Sequence, residues 1–164
     1  GPGEVGAPCL PSDERLSRFR GFAVEELNID DGSAECASGI CLVNHFQGRV
    51  SCPYGQTEDQ ALDAPACFVP DTDEPVEGPI APQLADRTAE QNVICSCRCA
   101  GPDPNAEYCR CPSGTECREV VREIGVPDPY DGLVGSYCIS TGTYYESSDV
   151  CDASEMDCGD PRPY

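Results

Sequence analysis

Five cysteines, Cys95, Cys97, Cys99, Cys109 and Cys111, are the residues whose type and spacing are best suited to chemistry. Alternate residues of an extended strand point the same way. Cys95-Ser96-Cys97-Arg98-Cys99 would therefore present three sulfurs on one face, and Tyr108-Cys109-Arg110-Cys111 two more on the facing arm of a hairpin. Clustered thiolates bind zinc or copper(I), whereas clustered thiols in an oxidising compartment become disulfides. The chain has no Cys-x-x-Cys pair, and His45 is its only histidine. That removes the spacing used by zinc ribbons, thioredoxin-like motifs and covalent haem sites. With 14 cysteines in 164 residues, disulfides are the stronger reading and a thiolate metal site in the Cys95 to Cys111 array is the alternative.

Carboxylates are the second resource. Asn28-Ile29-Asp30-Asp31-Gly32-Ser33-Ala34-Glu35 and Asp71-Thr72-Asp73-Glu74 combine hard oxygen ligands with turn residues. This makes Asp30, Asp31, Glu35, Asp71 and Asp73 candidate calcium ligands, although neither segment follows the EF-hand loop and solvated turns are the commoner outcome. No other cofactor is expected. A Ser-His-Asp hydrolase would have to use His45 without a Gly-x-Ser-x-Gly elbow, and there is no phosphate-cradling loop or dinucleotide fingerprint. The chain therefore reads as a non-enzyme, with a small secreted hydrolase, including one built on a carboxylate pair, as the weaker alternative.

Positioning these groups requires short, cross-linked elements. Ile40 to Phe46 and Arg49 to Cys52 flank Gln47-Gly48 and predict a hairpin. Its tip carries Asn44, His45, Phe46 and Arg49, while Asp103, Asn105 and Tyr108 occupy the turn between the two cysteine-rich arms. These two tips are the candidate binding loops, because a bridged hairpin loses little entropy on binding. Ser12-Asp13-Glu14 predicts a short helix through Leu16 and Phe19, and Phe22 to Ile29 a strand. Ser113 with Glu116 forms a capping box, and Cys117, Val120, Val121 and Ile124 mark one helical face that Gly125 and Pro127 end. Leu133 to Ile139 predicts a further strand, followed by a turn at Gly142 and an acidic tail.

The expected fold is a small, disulfide-rich, β-dominated unit of short antiparallel hairpins with one or two short helices. Five cysteines precede residue 68 and nine follow residue 94. Both counts are odd, so complete pairing requires at least one bridge between the groups, which predicts two lobes in one compact unit. The boundaries read as 1–8 for a flexible N-terminus opening on Gly1-Pro2, which resembles the scar of a tag-removing protease. Residues 9–67 form the N-terminal lobe, 68–91 a Pro-rich acidic connector laid over the surface, and 92–164 the C-terminal lobe with its tail.

Thirty Asp and Glu against ten basic residues give a formal net charge of −20. Such a surface repels nucleic acid and anionic membranes. No apolar run is long enough to span a bilayer. The cysteine density places the chain in an oxidising compartment, secreted or on the outer cell surface. The all-Arg basic set and the abundance of Ala, Gly, Pro and Asp fit a GC-rich bacterial genome, and the native precursor would carry an export or lipoprotein signal, leaving a lipid anchor open. A protein or surface glycan at the cell envelope is the expected partner.

Three resemblances accompany these readings. Cys36-Ala37-Ser38-Gly39-Ile40-Cys41 with His45-Phe46 and Cys52 resembles the colipase-like cysteine-rich module of Dickkopf proteins, which implies recognition of a cell-surface receptor. Cys109-Arg110-Cys111-Pro112-Ser113-Gly114 is similar to the end of an epidermal-growth-factor-like module. In composition and style the whole chain looks like the cysteine-rich surface lipoproteins of myxobacteria. None of the three carries a functional residue over to this chain.

Overall fold

The computed structural model describes residues 1–16, 19, 21–48, 52–69, 72–85, 87–121, 134–145, 150–151 and 158. Among them, two three-stranded antiparallel sheets dominate and the helices are short. The elements are a 3₁₀ turn at Ser12–Arg15, β1 at Leu27–Asp30, β2 at Cys41–Asn44, α1 at Glu58–Asp63, α2 at Ala89–Asn92, β3 at Val93–Cys95, β4 at Arg98–Ala100, β5 at Thr115–Val121 and β6 at Gly135–Ser140. No described helix is long and apolar enough to cross a membrane.

The first sheet has the order β1-β2-β3, and the second β4-β6-β5. Strand β2 is buried along its whole length, because both of its faces are covered. Cys41 and Val43 point to a core with Phe46, Val93 and Cys95, while Leu42 points the other way, against Tyr137 and Ile139 of β6. Alternation thus lets one strand serve two cores. Burying Leu42, Phe46 and Tyr137 completely contributes about 1.5–3 kcal/mol for each side chain. The outer edge of β3 is covered by the N-terminal segment, through Cys95 N to Ala7 O at 2.8 Å and Cys9 N to Val93 O at 3.2 Å.

All fourteen cysteines are paired: 9–41, 36–95, 52–67, 97–109, 99–117, 111–138 and 151–158. The bridge that parity requires between the two cysteine groups is Cys36–Cys95. It is reinforced by the ladder between β2 and β3, in which Cys41 lies opposite Cys95. The fold class expected from the sequence is therefore found, disulfide-rich and β-dominated.

Several local expectations are corrected. The segment expected to form the chain's clearest helix, from Ser113, is strand β5, paired with β6 from Thr115↔Ser140 to Val121↔Gly135; residues 122–133 lie outside the described part. The β-branched Thr115 and Val120 suit a strand, and Val120 packs against the Leu42, Tyr137 and Ile139 core. Instead of pairing in a hairpin with residues 49–52, β2 has β1 and β3 as neighbours; residues 49–51 lie outside the described part. Cys95 to Cys99 is not one strand, because the chain passes from β3 to β4 at Ser96-Cys97 and changes sheets there. Tyr108 to Cys111 is not a strand but lies beside β4, with Cys109 N bonded to Arg98 O at 3.0 Å. The Pro-rich stretch expected to cover the surface turns Val76, Ile80 and Leu84 inward.

That irregular region is held by buried glutamines. Gln56 donates from Nε2 to Val76 O at 2.9 Å and Gly78 O at 2.7 Å, and its Oε1 accepts from Ala66 N and Cys67 N, both at 3.1 Å. Gln47 donates to Cys52 O at 2.9 Å and Ala81 O at 2.7 Å. Each amide replaces the ladder that these loop backbones lack, as burial of backbone polar groups demands.

Candidate functional site

The candidate site is a cavity of about 510 Å³ between residues 83–85 and 87–90 on one side and the bonded pair Cys151 and Cys158 on the other, with Pro53 completing its wall. Three interactions set the tail against this wall. Cys151 N donates to Gln83 O at 2.7 Å, Cys158 N to the Tyr54 hydroxyl at 3.0 Å, and Val150 forms an antiparallel bridge with Leu84.

Polar groups are concentrated on one wall. Gln83 is buried, and its Oε1 accepts from Gln47 N at 3.2 Å and Leu84 N at 2.9 Å, which fixes the amide orientation and leaves Nε2 buried with no hydrogen-bond partner among the described residues. The Arg87 guanidinium, also buried, donates to Thr143 O at 2.7 Å, Asn92 Oδ1 at 2.6 Å and Asn44 O at 3.4 Å. It thereby joins α2, β2 and the turn after β6. Thr88 and Glu90 are exposed at the rim, and Leu84 and Ala89 supply apolar wall. A cavity with apolar wall at Leu84 and Ala89 and a polar rim at Thr88 and Glu90 suits a small ligand or a side chain of a partner.

Of the tip expected at Asn44 to Arg49, the described residues 44 and 46–48 are interior rather than a surface loop. Asn44, Phe46 and Gln47 are buried, and Arg49 lies outside the described residues. The physical reason is that Asn44 donates from Nδ2 to Thr143 O at 3.2 Å and Oγ1 at 3.1 Å, while Phe46 enters the first core. His45 is half-buried with a left-handed φ of 49° and stacks on Tyr145, ring centroids 4.1 Å apart. Its Nδ1 lies 2.9 Å from Val24 O, an acceptor only, so Nδ1 carries the proton. Burial pushes the imidazole below its ordinary value, helped by repulsion from Arg87 and opposed by the Val24 bond and by Glu25. A neutral ring at pH 7 follows.

The other tip is exposed and ordered by its own side chains. Asp103 Oδ1 accepts from Asn105 N at 2.9 Å, the Tyr108 hydroxyl donates to Asp103 O at 2.5 Å, and Arg98 lies over the Tyr108 ring at 5.4 Å.

The calcium candidates are dispersed among protein partners. Asp30 accepts from Ser12 N at 2.8 Å and Gly32 N at 3.2 Å, and Glu35 accepts from Leu10 N at 2.7 Å and pairs with Arg15. Asp31 and Asp73 are exposed, and Asp71 lies outside the described residues. Among the described residues, the groups whose ligand atoms converge within 4.8 Å are all cysteines. Cys95, Cys97, Cys99, Cys109 and Cys111 are each consumed in a disulfide, Cys95 in the first sheet and the other four around β4 and β6.

Sequence reasoning missed Gln83 and Arg87. Both stand in a Pro-rich acidic stretch that reads as solvated connector, and no local pattern marks them as buried. Comparison with known protein families, with curated proteins and with solved structures found no match to this chain.

Proposed function

We propose that the protein is a non-enzymatic binding or structural assembly protein that works outside the cell or at its surface, against a protein or glycan of the envelope. The observation that carries this reading is the pairing of every cysteine, which suits an oxidising compartment and fixes surface turns before a partner arrives. The cavity beside Gln83 and Arg87 and the ordered tip at Asp103 to Tyr108 are the two surfaces offered for recognition. With a net charge of −20, the partner's complementary surface would be neutral or basic.

The test is a titration of labelled, fully bridged protein on intact source cells and on a glycan array. It is repeated with Ala85→Trp, which fills the cavity mouth, and with Tyr108→Ala, which loosens the tip. Saturable binding lost in one of the two variants supports the reading, and protease or periodate treatment of the cells sorts protein from glycan. Absence of saturable binding on both surfaces, or accumulation of cleaved substrate, overturns it.

A further inference from the structure

Three of the seven bridges are not independent. Cys138 Sγ, bonded to Cys111, lies 3.7 Å from both Cys97 Sγ and Cys109 Sγ, which are bonded to each other. Cys99, bonded to Cys117, falls with Cys111 and Cys138 in a second set whose sulfurs all lie within 4.8 Å. Sulfurs of three disulfides therefore form a continuous chain of near contacts that ends at the exposed Cys117. A separate sulfur cluster, Cys9, Cys36 and Cys41, is buried throughout and offers a solvent thiol no entry.

We propose that these six cysteines form a thiol–disulfide exchange relay, through which a thiol introduced at one end migrates to the other without net oxidation or reduction. If Cys109 is a thiolate, it attacks Cys138 Sγ, the Cys109–Cys138 bond forms, the Cys111–Cys138 bond breaks, and Cys111 leaves as thiolate. Cys111 then attacks Cys99 Sγ, forming Cys99–Cys111 and releasing Cys117 as thiolate at the surface. Each step makes one disulfide and breaks one, and only the initial deprotonation of the thiol is needed. The exposed end would then exchange with a thiol or disulfide of a partner.

Cys97→Ser leaves Cys109 without its partner and tests the relay without added reductant. The folded variant is held at pH 8, quenched in acid with an alkylating agent, and mapped without reduction. The relay predicts alkylation mainly at Cys111 or Cys117, with Cys109–Cys138 newly formed. Alkylation confined to Cys109, with 111–138 and 99–117 intact, overturns it. So does scrambling that reaches Cys52 or Cys67, since that would be general exchange in an unfolded chain. A second measurement covers loss of folding in the variant: wild-type protein with limiting glutathione should give mixed disulfides and rearranged pairs within the six cysteines, leaving 9–41 and 36–95 intact. Attack spread evenly over all seven bridges would refute the proposal. Cys52→Ser is the control, because Cys67 belongs to none of the three close sulfur sets and its thiol should stay where it is.

Discussion

Cys36 and Cys95 are bonded with their Cα atoms 5.3 Å apart although 59 residues separate them in sequence, and theirs is the bridge that joins the two cysteine groups. Chain-entropy scaling assigns about 4 kcal/mol to a loop of this length and about 2 kcal/mol to the seven-residue separation of Cys151–Cys158. Replacing Cys36 and Cys95 together by serine should therefore lower unfolding free energy by roughly twice as much as replacing Cys151 and Cys158. Denaturant titration of the two double variants measures the difference. Equal losses would contradict the chain-entropy ranking of the two bridges.

Two glycines are fixed by close backbone approach. A Cβ on Gly55, at φ 69°, would lie 2.3 Å from Ile80 O, and one on Gly135, at φ 141°, would lie 2.2 Å from Ala100 O. Gly55→Ala and Gly135→Ala should each cost more than about 2 kcal/mol, because strain is added to a contact with rigid backbone. Gly114→Ala, at φ 87° with nothing within 4 Å, should cost only about 1 kcal/mol. Thermal denaturation of the three variants tests the ranking.

The single histidine gives an unambiguous pH readout. Because the folded imidazole is held below its unfolded value, mainly by burial, the unfolded state binds more protons between the two values. Stability tied to His45 is complete above the unfolded value, about 6.5, and is lost as pH falls through the folded one. The one imidazole resonance should titrate below about 6.5 by NMR. His45→Asn, which tolerates positive φ, should flatten the fall in melting temperature between pH 7 and pH 5. A resonance titrating above the ordinary value would contradict the burial argument.

Metal removal should leave stability unchanged. Asp30 and Glu35 already accept hydrogen bonds from backbone amides, and Glu35 also pairs with Arg15. Melting curves with EDTA and with added calcium should coincide. A melting temperature that rises with calcium and falls with EDTA would establish a cation site beyond these contacts.

Legibility in the sequence followed the range of the interaction. The strand expected over Leu133 to Ile139 is found as β6 at Gly135–Ser140, and the turn at Gly142 carries φ 83°. Both rest on local alternation and on glycine. The short helix at Ser12 shrinks to one 3₁₀ turn, and the strand from Phe22 shortens to Leu27–Asp30. At Ser113 to Glu116 the local signal misleads. A capping box is worth about 1 kcal/mol, whereas β5 gains a ladder along β6, a bridge from Cys117 to Cys99 and burial beside Leu42.

The sequence by itself determined that the chain is acidic and cysteine-dense, favoured short strands and cross-links over a metal site, and required a bridge between its two cysteine groups if every cysteine is paired. Those conclusions need only counts, parity and alternation. Tertiary structure alone decided which sulfur each cysteine meets, that Asn44 and Phe46 turn inward, and that Gln47, Gln56 and Gln83 hold the loops. Each of these depends on backbone groups distant in sequence being brought within hydrogen-bond or bonding distance, and glutamine in a loop looks the same from sequence whether it faces water or a buried carbonyl.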